Sequence, residues 1–92
     1  MVRTLRKMPY AQAKVRDYAD IGMDTRILQS YATDVIIVKN GFLECTGLYS
    51  MTIRKHISAF LWEYYPDITF RMIKAIAGTE KKLNILTGKI VG

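Results

Sequence analysis

Proton transfer, thiol chemistry and metal binding draw on histidine, cysteine and clustered carboxylates, and this chain offers few of them. His56 is the single histidine and Cys45 the single cysteine. A lone imidazole with no cysteine or carboxylate at ligand spacing does not make a metal site. As a general base it would need a nucleophile in reach. The expected part of His56 is structural: a hydrogen bond to the hairpin backbone, to Tyr31 or to Ser30, locking a helix to a sheet. Cys45 falls on a core-facing strand position, where a buried thiol is inert. Asp17, Asp20 and Asp24 cluster in a turn, but their number and spacing fit no calcium loop. Gly41, Gly47, Gly78, Gly88 and Gly92 are dispersed, so no loop cradles a phosphate. No catalytic residue, cofactor or metal is assigned, and an enzyme is not expected.

The elements that position these residues lie between Thr33 and Tyr65. Asn40-Gly41 between two apolar runs is a strong hairpin signal, because a type I′ turn needs positive φ at both central residues. A two-residue turn sets Lys39 opposite Phe42, Val38 opposite Leu43, Ile37 opposite Glu44, Ile36 opposite Cys45 and Val35 opposite Thr46. Alternation then collects Ile36, Val38, Leu43 and Cys45 on a core face. Val35, Ile37, Lys39, Phe42, Glu44 and Thr46 share the other face, which is too apolar for bare solvent. Tyr49-Ser50-Met51-Thr52 stops the strand, and Ser50 or Thr52 caps the helix that follows. At about 100° per residue, Ile53, Ile57, Phe60, Leu61 and Tyr64 form its apolar stripe. Arg54, Lys55, Ser58, Trp62 and Tyr65 occupy the opposite side, and an outward Trp beside Lys55 marks a contact surface. Pro66-Asp67 breaks the chain. Asp67 is expected to cap a second, well-buried helix that Gly78 ends. Leu83 to Val91 reads as a weak last strand interrupted by Gly88. Tyr10 to Tyr18 stays open between a helix started by Pro9 and a strand.

Ninety-two residues make one domain, residues 1–92, with a modest core. Half are apolar, which argues against disorder. The longest apolar run, Val35 to Val38, is far too short for a membrane span. The start, MVRTLRKMPY, leads into no apolar stretch of the kind a signal peptide carries. One cysteine permits no internal disulfide and fits a reducing compartment, so cytosol is expected. The net charge of +6 excludes an acidic mimic of DNA. It is spread unevenly: Arg3, Arg6, Lys7, Lys14 and Arg16 meet no acid over residues 1–16, and residues 1–8 read as a basic arm.

Two strings resemble a family. LQSYATDV (Leu28 to Val35) and YSMTIRKHISAF (Tyr49 to Phe60) follow L-x-S-Y-x-T-x-V and Y-S-x-T-x-x-x-H-I-x-x-F. An upstream Y-x-x-A-K-V matches Tyr10, Ala13, Lys14 and Val15. The chain is thereby similar to small uncharacterised proteins of Gram-positive and gut bacteria and of their phages and mobile elements. The resemblance implies a strand before the hairpin, which decides Tyr10 to Tyr18. It also implies a mobile-element setting, where small proteins regulate transcription or block host defences.

These readings converge on an α+β fold. A small antiparallel meander of about four strands, from about Ala11 to Gly47, packs one face on helices near 51–65 and 67–77. Ile36, Val38, Leu43, Ile57, Phe60, Leu61 and Ile76 are its expected core. Two binding functions fit the surface. An interaction protein would dock on a host or defence-system protein as an inhibitor, and would pair with itself as a homodimer through Val35, Ile37, Phe42 or Trp62. The alternative is a basic regulator that binds nucleic acid through Arg3, Arg6, Lys7, Arg54 and Lys55, with Trp62 and Tyr65 stacking on bases. The first is favoured, because no helix-turn-helix and no aromatic RNA-binding strand motif is present.

Overall fold

Asn40 and Gly41 have φ of 53° and 85°, the double positive turn that asparagine tolerates and glycine, without a Cβ, adopts at low cost. That turn joins β4 (Thr33–Lys39) to β5 (Phe42–Cys45). The pairing is the expected one, with Lys39 on Phe42, Val38 on Leu43, Ile37 on Glu44 and Ile36 on Cys45. The structure, a computed structural model, describes residues 1–48 and 50–92, with Asp20 described through its backbone alone. Tyr49, expected at the strand's stop, therefore lies outside the described residues, as does the side chain of Asp20.

The chain is α+β, and the meander is wider than expected. β1 (Val2–Thr4), β2 (Ala13–Asp17), β3 (Thr25–Ser30), β4, β5, β6 (Lys82–Asn84) and β7 (Ile90–Val91) form one antiparallel sheet, each strand bonded to the next. Tyr10 to Tyr18 does hold a strand, with Ala13, Val15 and Asp17 buried and Lys14 exposed. β1 is added, and the weak last strand expected over Leu83 to Val91 is two short ones, β6 and β7, on either side of Gly88. The basic arm is thus not an arm: residues 2–4 pair with β2, and Leu5 behind them is fully buried. Both helices are inserted between neighbouring strands β5 and β6. α1 (Met51–Tyr64) lies against β3, and α2 (Phe70–Ile76) lies against β5.

Ser50 caps α1, its Oγ accepting the Ile53 N–H at 3.3 Å. Thr69, not Asp67, caps α2: the Met72 N–H donates to its Oγ1 at 3.3 Å. The cap therefore lies two residues beyond Asp67, and the helix has seven residues. It buries Ile73 and Ile76 but leaves Ala75 exposed, so it is less buried than its composition suggested. Gly78 follows the C-cap with φ 72°, and its N–H donates to Cys45 O at 3.0 Å, tying the helix end to β5.

The expected core residues Ile36, Val38, Leu43, Ile57, Phe60, Leu61 and Ile76 are all buried, as is Cys45. Val35 corrects the reading of the outer face. Leu28 pairs with Ile36 while Gln29 pairs with Asp34, which leaves Val35 as an extra residue in β4. Such a bulge breaks the strict alternation. Val35 joins the core at 0% exposure, and Ile37 and Phe42 stay half-buried on the outer face.

Candidate functional site: the trough along helix α1

Among the described residues three polar ones, Asp17, Ser30 and His56, lie inside the core, and each serves to fix a helix on the sheet. Ser30 on β3 and His56 on α1 are 0% and 1% exposed, with Ser30 Oγ 2.7 Å from His56 Nδ1. Hydroxyl and ring can complement one another in either tautomer. Burial holds the imidazole pKa below its ordinary value. The pair has the composition of a nucleophile and its base, but both groups are sealed from any substrate. The Tyr31 ring lies 6.0 Å away, centroid to centroid.

At the other end of α1, Asp17 Oδ2 accepts from Arg26 Nη2 at 2.9 Å and from Nε at 3.2 Å, while Oδ1 accepts the Ala19 N–H at 3.1 Å. That backbone bond, and then Arg26, hold the Asp17 carboxyl below the usual carboxylate range. Arg26 Nη1 continues to Tyr65 Oη at 3.2 Å, and the guanidinium lies 4.4 Å from the Tyr64 ring centre. Tyr65 therefore does not share the outer surface with Trp62. It sits four residues after Leu61, just past the helix, and turns toward β3. Cys45 donates its thiol to Gly47 O at 3.4 Å, and burial raises its pKa. Among the described residues, no three His, Cys, Asp or Glu side chains are grouped to hold a metal ion, and no helix is long and apolar enough to cross a membrane.

The open chemistry is on the outside of α1. Met51, Arg54, Lys55 and Ser58 recur at helical spacing along that side. With Ala59, Phe70 of α2, Lys7 and Met8 they line a groove of about 530 Å³. A second hollow of about 230 Å³ shares Ser58 and Phe70 and runs past Leu61, Trp62, Pro66 and Ile68. The two make one trough. Lys7, Arg54 and Lys55 are its cations, and among the described residues no carboxylate lines either part.

The wall on the N-terminal side is a short strap, residues 5–8. Leu5 is its buried anchor, and the Arg6 N–H donates to Glu63 Oε1 of α1 at 2.8 Å. Lys7 Nζ stands 4.1 Å from the centre of the Trp62 ring, a cation–π contact on a side chain that is 50% exposed. The fold thus brings Lys7, Arg54, Lys55 and Trp62 together. Arg6 joins through its backbone, whereas Arg3 stays on β1, exposed, with Nε 3.2 Å from Met1 Sδ. Met8, Met51 and Phe70 were not singled out as site residues. A signal for the strap was present in Leu5, an isolated apolar residue within a basic run.

Residues 3–82 match the model of a family of unknown function, DUF8033. The chain belongs to that family. The span matched by DUF8033 runs from β1 to the first residue of β6, so it takes in both polar clasps, the strap and the trough. No curated protein and no solved structure matches the chain.

Proposed function

We propose that this chain is a non-catalytic interaction protein whose working surface is the trough along α1, and that it takes an acidic, amphipathic segment of another protein. The composition of the trough carries this reading: an apolar floor of Met8, Met51, Ala59 and Phe70 beside Lys7, Arg54 and Lys55, with no acid among the described residues of the lining. An amphipathic helix lays its apolar side into such a groove, and unbranched thioethers adapt to its shape. The cations select an acidic rim and speed the encounter. Trp62 at the far end supplies a large anchor. The resemblance to phage and mobile-element proteins supports a partner from the bacterial host cytosol, such as a component of a defence system.

The test is titration of the chain with acidic amphipathic peptides, with charge-neutral versions, and with single- and double-stranded oligonucleotides at low and moderate salt. Saturable binding of the acidic peptides is expected, read by Trp62 fluorescence. Met51→Glu and the pair Arg54→Glu, Lys55→Glu should remove it at an unchanged melting temperature. Oligonucleotide binding with a steep salt dependence and no peptide binding would transfer the site to the nucleic-acid reading. Peptide binding that survives those substitutions would place the working surface elsewhere.

A further inference from the structure

We infer that the uncovered face of the sheet joins two copies of this chain, with β3 and β4 of one copy over β4 and β3 of the other. Both helices cover the inner face, toward which Val15, Leu28, Ile36 and Leu43 point. The outer face keeps Ile27, Ile37 and Phe42 half-buried with no helix over them. The register aligns Arg16, Ile27, Ile37 and Glu44 in one row across β2 to β5. That row reads cation, isoleucine, isoleucine, anion, so it complements its own reverse.

A two-fold axis between the sheets, parallel to the strands and midway between β3 and β4, sets Ile27 over the partner's Ile37. The same axis sets Arg16 over the partner's Glu44, twice. Isologous contact of this kind needs one self-complementary patch, and here the charge order supplies it. Face-to-face sheets cross at about 30°. Arg16 and Glu44 lie about one and a half strand spacings, or roughly 7 Å, from the axis. The crossing displaces them by only about 4 Å, which long side chains span. Arg16 has capacity for the contact in Nη1: among the described residues its Nη2 bonds to Asp34 at 2.7 Å, and its Nε is buried. Asp34 keeps 40% of its side-chain surface exposed, so that bond can persist at the rim. The trough along α1 lies on the opposite face and stays open in the pair.

Light scattering and sedimentation of the full chain at micromolar concentration decide it, with melting curves taken for every variant. Twice the monomer mass is expected for the native chain. Arg16→Glu and Glu44→Arg should each yield the monomer, and the two together should restore the dimer. Ile37→Lys should yield the monomer without recovery. A monomer mass for the native chain overturns the inference, as does a dimer that survives Glu44→Arg and Ile37→Lys. If a single reversal fails to fold, the double reversal still decides, because a folded monomer there also refutes the pairing.

Discussion

Adding a proton to His56 would place a charge on a ring that is 1% exposed and whose partner, Ser30, is a neutral hydroxyl. Its pKa is lowered accordingly, with burial as the cause. The unfolded chain takes that proton near pH 6.5, and the folded chain only at lower pH. The folded state therefore loses stability as pH falls from about 7 through this window. The urea midpoint of the native chain should be lower at pH 5.5 than at pH 7.5, and His56→Gln should shrink the difference. An unchanged difference in that variant would show that the pH effect lies in other groups. Asp17 acts in a separate window: its carboxyl is held low, so its contribution is present above about pH 4 and lost below.

At the scale of elements, α1 is the piece that closes the core. It presents Ile53, Ile57, Phe60 and Leu61 to the sheet and is pinned at two places, in its middle by His56 on Ser30 and just past its end by Tyr65 on Arg26. Leu61 is 4% exposed between the sheet and the second hollow of the trough. Leu61→Ala should lower stability by about 2–5 kcal/mol, the range for large-to-small core changes. Chemical denaturation measures it, and a midpoint shift equal to that of an exposed substitution such as Lys55→Ala would contradict the packing. The size of the loss reports how far Ile68 and Phe70 close over the space.

The whole molecule depends on a contact that spans most of its length. Leu5, fully buried, draws residues 6–8 across the flank of α1, so the segment ahead of β2 completes a wall built by the helices. Releasing that anchor should act on both stability and surface. Leu5→Ala is expected to cost about 2–5 kcal/mol. It should also loosen Lys7 from Trp62, making the only tryptophan more accessible to quenching by acrylamide. Unchanged quenching in a folded Leu5→Ala chain would show that the strap stays in place without its anchor.

Local rules were sufficient wherever one residue or one short period decided the outcome. Asn40-Gly41 sets the hairpin register because few other residues tolerate two positive φ values in succession. Alternation then places Ile36, Val38, Leu43 and Cys45 inside, helical periodicity does the same for Ile57, Phe60 and Leu61, and Ser50 caps α1. The bond between His56 and Ser30 was among the expected partners, because both sit on inward positions of elements that must touch. Long-range packing decided the rest. Strands of two or three residues carry almost no pattern, so nothing local marks β1, and the weak strand expected over Leu83 to Val91 divides into β6 on the edge of β5 and β7 on the edge of β6. Nothing local marks Val35 as the extra residue of a bulge, since the register shift is defined against β3. Tyr65 follows the last turn of its helix, where the wheel no longer sets direction and the Arg26 guanidinium does. The trough arises where α1, α2 and the strap meet, and only the tertiary fold brings Lys7, Arg54 and Phe70 to one surface.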